Sequence, residues 1–191
     1  MKHFLLVTAM CFLAFSNAQE LKKEDEKLLD LSTGYGYYHQ YHLKSNTGSV
    51  IGFTVDYKVN KTYKVSQMTQ FGFITERIDN IQVNYVNQHL SILGTRSLFE
   101  NRHFQIQAGA GLGYTNYHHV QVRKAVPDDG SIAGTVVTKL AVMQMSFPIV
   151  GEVNYLASKS LAIGFKFGGY IPTHAGIMNY TFIYPQVKFS L

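Results

Sequence analysis

Histidine, serine and paired charges are the residue types here that could do chemistry. Imidazole can ligate a metal or take a proton from a nucleophile. Five histidines, His39, His42, His118, His119 and His174, recur toward one end of the strand pattern described below. Their spacing follows no ligand motif, and the only cysteine, Cys11, lies too early to complete one. A hydroxyl nucleophile needs a histidine beside it and an acid behind. His42 with Ser45 is the nearest such pairing, and His174 has no serine close in sequence. The expectation is solvated rim histidines, no catalytic residue, no metal and no cofactor. The second set is Asp56, Lys58, Glu152, Lys166 and Lys188, charges of both signs at positions that alternate with apolar residues. Charges so placed share one face of a sheet, and their expected task is structural, each neutralising another.

The elements that must hold these residues begin after a leader. Lys2 and His3 precede the apolar run Phe4–Phe15, and Ser16-Asn17-Ala18 supplies small residues for cleavage. Residues 1–18 therefore read as a secretory signal peptide rather than a membrane helix. A lipoprotein signal at Cys11 is the rival, disfavoured by Met10 before it. Cleavage after Ala18 removes the cysteine, so neither disulfide nor thiol chemistry is expected. The 17 Lys+Arg against 12 Asp+Glu are scattered, without the clustering that nucleic-acid binding requires. Residues 19–32 open with the charged QELKKEDEKLLD, read as a periplasmic segment with a helical turn or two, or a tail.

From about Thr33 the apolar period becomes two. Eight runs follow: Thr33–Leu43, Ser49–Val59, Lys64–Glu76, Gln82–Gly94, His103–Val122, Thr135–Tyr155, Ser160–Ile171 and Met178–Leu191. Gly, Asn, Asp and Pro mark the breaks. Tight connections near 60, 101 and 158 alternate with looser ones near 46, 128 and 174, as in an up-and-down membrane barrel.

The two faces of each strand decide what solvent surrounds the sheet. In the last run Thr181, Ile183, Pro185, Val187, Phe189 and Leu191 oppose Tyr180, Phe182, Tyr184, Gln186, Lys188 and Ser190. In the seventh, Leu161, Ile163, Phe165 and Phe167 oppose Ala162, Gly164, Lys166 and Gly168. The second, fifth and sixth runs divide likewise. The second face is too small and too lightly charged for a water-facing exterior. It suits the cramped interior of a narrow barrel whose apolar face meets lipid. The fourth run breaks the pattern: Val83 and Tyr85 are in one phase, Leu90 and Ile92 in the other, which a bulge would explain. Tyrosines near strand ends suggest two interfacial girdles, Tyr35, Tyr37, Tyr57, Tyr63 and Tyr155 on one side, Tyr41, Tyr114, Tyr117, Tyr170 and Tyr180 on the other.

With these residues the chain resembles the small eight-stranded outer-membrane barrels of the OmpA/OmpX-like type, a porin-like β-barrel domain, over residues 33–191. The terminal Val187, Phe189 and Leu191 look like the C-terminal signal read by the outer-membrane barrel assembly machinery. The fold class implied is all-β: an eight-stranded antiparallel up-and-down transmembrane β-barrel. The resemblance implies location in the outer membrane of a Gram-negative cell envelope, lipids as neighbours, and a role in envelope integrity, adhesion or a small pore. The fifth and sixth runs exceed the 9–11 residues a crossing needs. Residues 115–142 are expected to protrude as an exposed hairpin with an edge that can recruit an extracellular partner. The alternatives are a passive pore, a secreted lipocalin-like binding barrel, and an outer-membrane lipid-modifying enzyme, whose His–Ser pattern is not visible here.

Overall fold

Alternation of period two, interrupted by turn residues, folds into eight antiparallel strands. The computed structural model describes residues 28–41, 46–78, 81–125, 134–173 and 180–191. The strands are β1 (Leu29–Gln40), β2 (Asn46–Lys58), β3 (Tyr63–Ile78), β4 (Ile81–Glu100), β5 (Phe104–Ala125), β6 (Gly134–Leu156), β7 (Leu161–Pro172) and β8 (Tyr180–Ser190). Each pairs with its sequence neighbours, and β8 pairs back onto β1, so the sheet closes into a barrel. Closure gives every central strand two partners and removes the sheet edges. No helix long and apolar enough to cross a membrane occurs among the described residues.

The period decides inside from outside. Leu31, Phe53, Ile106, Phe147, Ile163, Phe165, Ile183 and Phe189 are exposed on the outer surface. Asp30, Thr54, Asp56, Ser66, Gln70, Gln107, Glu152, Asn154, Lys166, Gln186 and Lys188 are buried in the lumen. This inverts a water-soluble protein, in which charge lies outside and carbon within.

Three sequence expectations change. The first strand starts at Leu29 rather than Thr33, because Leu29 and Leu31 already alternate with Asp30 and Ser32. Residues 29–32 thus belong to the barrel and not to the segment before it; the leader and residues 19–27 lie outside the described residues. In β4 no slip separates Val83 and Tyr85 from Leu90 and Ile92. Val83 and Tyr85 point inward into an apolar part of the lumen, and burial alternates without a break from Gln82 to Arg96. The irregularity in β4 is a register shift between Ser97 and Phe99, near the tight turn. Third, Tyr117, Tyr170 and Tyr180 are buried and form no girdle. Tyr57, Tyr63 and Tyr155 do stand outward near the tight turns, and Tyr41 and Tyr114 outward toward the other end. Tyr35 and Tyr37 lie farther from the tight turns than expected because β1 starts earlier.

Two prolines interrupt the ladders. The β1–β8 register passes from Gly34↔Gln186 to Tyr37↔Ile183, omitting the positions beside Pro185. The β5–β6 register likewise omits the positions beside Pro148. Proline has no amide hydrogen to donate.

Candidate functional site

The lumen is the place where the strands bring functional side chains together, and it has two unlike halves. Near the tight turns lies an ionic half. Asp30 from β1 receives Lys58 Nζ at 3.0 Å on Oδ1 and Lys64 Nζ at 2.9 Å on Oδ2. Lys64 is also 4.0 Å from Asp56 Oδ2, and that oxygen receives Lys188 Nζ at 3.0 Å. Lys188 continues to Glu152 Oε2 at 2.5 Å, and Glu152 Oε1 receives Lys166 Nζ at 2.8 Å. The result is a chain of strictly alternating sign, Lys58, Asp30, Lys64, Asp56, Lys188, Glu152, Lys166, in which every carboxylate lies between two ammonium groups. Apart from half-buried Lys58 these groups are removed from solvent. Ions buried in this way persist only when each finds counter-charge and hydrogen bonds.

Neutral groups complete the set. Lys166 donates to Thr54 Oγ1 at 2.6 Å. Gln107 Oε1 accepts from Lys188 at 3.4 Å and Lys64 at 3.5 Å. Gln186 Nε2 donates to Glu152 at 3.2 Å and to Asn154 Oδ1 at 2.9 Å. These contacts tie β7 to β2, β5 to β8 and β3, and β8 to β6 across the lumen. All five charges singled out from sequence lie in this cluster. Gln107 lies on the inner face that alternation in the fifth run gives it, whereas Asp30, read as part of the preceding segment, and Lys64, in a run whose faces alternation leaves undivided, are additions from the structure. Below the cluster, at the tight-turn end, a vestibule of about 840 Å³ opens between Asp30, Lys61, Lys64, Glu100, Lys159 and Lys188.

The far half is aromatic. Tyr38, Tyr170, Tyr180, Phe182 and Tyr184 fill it together with Ile74, Val83, Tyr85 and Tyr117. Small residues make room. A Cβ on Gly72 would lie 2.8 Å from the Tyr38 ring, and one on Gly52 would collide with the Tyr184 hydroxyl. At the centre is His89, stacked on Tyr170 with ring centroids 4.3 Å apart and an interplanar angle of 16°. Its Nε2 is 2.8 Å from Tyr38 Oη and its Nδ1 is 3.1 Å from Thr115 Oγ1, which is 3.0 Å from Ser146 Oγ. Asn87 Nδ2 donates to Tyr38 Oη at 3.3 Å. One orientation satisfies the whole series: Tyr38 donates to Nε2, and Nδ1–H of a neutral ring donates to Thr115. This assignment follows from the network, not from observed hydrogens. Below it Tyr170 donates to Gln70 Oε1 at 2.6 Å, and Gln70 Nε2 donates to Tyr184 Oη at 3.2 Å.

His89 was not among the rim histidines, and it is the one placed beside two hydroxyl side chains. It is 1 % exposed and walled in by rings, so among the described residues it fills this half of the lumen. Of the rim residues, His39 contacts Tyr41 edge to face. His118 accepts no part in a cluster: its backbone N–H donates to Asn87 Oδ1 at 3.1 Å, and its ring Nδ1 is 3.0 Å from the Val86 carbonyl. His42, Ser45 and His174, and the side chain of His119, lie outside the described residues.

Past the point where β4 and β5 part, two ladders continue separately, β3–β4 to Ile78↔Ile81 and the longer β5–β6. β4 pairs with β5 only as far as Asn116, and β7 with β6 only as far as Ser146, yet β5 and β6 stay paired to Ala125↔Gly134. His118 stitches β5 to β4 at the point of departure. At the opposite end Val187, Phe189 and Leu191 face outward.

Solved structures share this closed eight-stranded barrel. The N-terminal β-barrel domain of Pseudomonas aeruginosa OprF matches with a TM-score of 0.59 at 9 % identity, over 87 % of this chain and 100 % of that one. The chain has the fold of the small eight-stranded outer-membrane barrels. Neisserial surface protein A matches equally, with a TM-score of 0.59 at 9 % identity over 85 % of this chain and 96 % of that one. Identity at this level speaks for the fold alone. No family model matches the sequence, and neither does any curated protein.

Proposed function

We propose that the chain is an integral, non-enzymatic protein of the outer membrane, with the tight turns toward the periplasm and the β5–β6 hairpin outside. One observation carries the reading: large apolar side chains stand outward on the strands while the ions lie within. In water that surface would drive aggregation; in lipid it is the solvent-matched face. The task that best fits is surface interaction or envelope integrity through the hairpin, residues 115–142. There β5 and β6 lose their outer neighbours and leave ladder edges unpaired, which can accept a strand from an extracellular partner.

The ionic chain is proposed as structural, a cross-brace rather than an ion path. With β8's lysine bound to β2 and β6, and rings filling the other half, eight strands leave no continuous channel. Planar-bilayer recordings should accordingly show little conductance. Val187, Phe189 and Leu191 are proposed as the assembly signal. A secreted binding barrel would keep its cavity apolar inside and its charge outside, and the described residues have the opposite arrangement.

Fractionation followed by gels run with and without boiling tests the location. Expected is a protein in the detergent-extracted outer-membrane fraction that migrates differently when boiled. Recovery from the soluble periplasm without detergent would overturn the reading. Replacing residues 116–141 by a tight turn tests the task. The barrel should persist while surface binding or envelope resistance falls, and unchanged phenotypes would reject the hairpin as the working part.

A further inference from the structure

The outward wall differs from side to side. On β6, β7 and β8 it carries Phe147, Ile149, Phe165, Phe167 and Ile183, all large and exposed. Even its glycine is covered, since a Cβ on Gly151 would lie 2.6 Å from the Phe167 ring. On β3 the outward positions between Val65 and Phe71 are instead Gln67 and Thr69. Next to them Gly94 is bare: a Cβ there would meet only the Ala110 carbonyl oxygen, at 4.0 Å. Gly94 is registered between Val65 and Ala110, and Gln67 between Val55 and Ile92. Ile92 and Leu112, 58 % and 56 % exposed, rise beside the dent.

Depth makes Gln67 unusual. It lies four residues along β3 from Tyr63. At about 3.3 Å per residue and a tilt of about 40°, it is roughly 10 Å inside the belt of about 25 Å. No hydrogen bond reaches its side chain among the described residues. Lipid tails offer neither donor nor acceptor, and an amide left unpaired in hydrocarbon is costly. A carboxamide carries both a donor and an acceptor, so it can pair with another copy of itself. Two copies related by a two-fold axis along the membrane normal keep every residue at its own depth, so the residue nearest the axis meets its equivalent.

We propose that the β3–β5 wall, centred on Gln67, is where a second copy of this chain docks in the membrane. Gln67 pairs with the partner subunit's Gln67, and the dent at Gly94 takes a side chain from the facing copy. The proposal rests on the membrane location proposed above.

Disulfide trapping of Gln67→Cys and, on the opposite wall, Phe165→Cys tests it in outer membranes of expressing cells. Boiled and unboiled samples report separately on the barrel fold, and Thr69→Cys replaces Gln67→Cys if that variant does not fold. Expected is a cross-linked species of twice the chain mass from residue 67 and at least fivefold less from residue 165. The parent chain, with Cys11 alone, should give none. Adding Gly94→Phe should reduce trapping at 67 at least fivefold while the folded band is retained. Folded, membrane-embedded barrels that trap equally at 67 and 165, or at neither, would overturn self-docking and leave the location intact. A cross-linked product of another mass would overturn it in favour of a different protein. Absence from the membrane fraction would remove the location first and the docking surface with it.

Discussion

The ionic and aromatic halves of the lumen solve the same problem by opposite means. Both must fill a narrow space left by eight strands. Near the tight turns the filling is charge, in which seven groups of alternating sign link neighbouring strands and also brace β1 to β3, β8 to β2 and β8 to β6, which do not pair through their backbones. Toward the hairpin the filling is rings packed over glycines, with one neutral histidine at the centre. The ionic half depends on every partner being present, because a buried ion that loses its counter-charge is far costlier than a ring that loses a contact. The aromatic half depends on volume, because its rings sit against backbone with no space to spare. The two halves should therefore fail differently when perturbed.

The largest expected effect is at Glu152, which accepts from Lys166, Lys188, Gln186 and Asn154. Glu152→Ala leaves two buried ammonium groups short of an anion and should cost about 3–5 kcal/mol in urea unfolding from bilayers. Adding Lys166→Met should recover a measurable part of that loss. Full additivity of the two would break the account of a coupled chain. Next is Gly72→Ala in the aromatic half. It presses a methyl against Tyr38 and should cost about 1–3 kcal/mol by the same measurement, whereas Gly94→Ala on the open outer wall should leave stability nearly unchanged. Tyr38→Phe removes the hydroxyl shared by Asn87 and His89 and should cost about 1–3 kcal/mol. A smaller loss there would mean that the rings, not their hydrogen bonds, hold this half. The smallest effect is expected at half-buried Lys58, the solvent end of the ionic chain. Lys58→Ala should cost about 1 kcal/mol or less, and a loss as large as that at Glu152 would erase the distinction between the chain's interior and its end.

Much of the barrel is legible before any coordinates. The faces of β2, β5, β6, β7 and β8 follow from alternation, because large apolar residues on one side oppose Gly, Gln and Lys on the other. Alternation stops being informative where both faces are apolar. Val83 and Tyr85 resemble a displaced outer face because nothing local reveals that the upper lumen is itself aromatic. Tyr170 and Tyr180 resemble girdle residues for the same reason: a tyrosine at a strand end suits an interface or a plug equally well. Asp30 was hidden by its charged neighbours, which read as a lead-in rather than a strand. His89 was hidden by its setting in the fourth run, where the phases were unresolved. The partners of the ionic chain come from strands far apart in sequence, so no spacing rule could have joined Lys188 to Asp56.

Pro185 has a mechanical meaning. The β1–β8 junction joins the first strand to the last, and it is the junction that turns a sheet into a cylinder. Its ladder lacks rungs beside Pro185, while β3 and β4 pair from Tyr63↔Arg96 to Ile78↔Ile81 without omission. Nearer the tight turns Lys188 and Asp56 span the same junction from the lumen side, linking β8 to β2 past β1. A barrel pulled apart by force would be expected to unzip along this line, with the lysine acting as its latch.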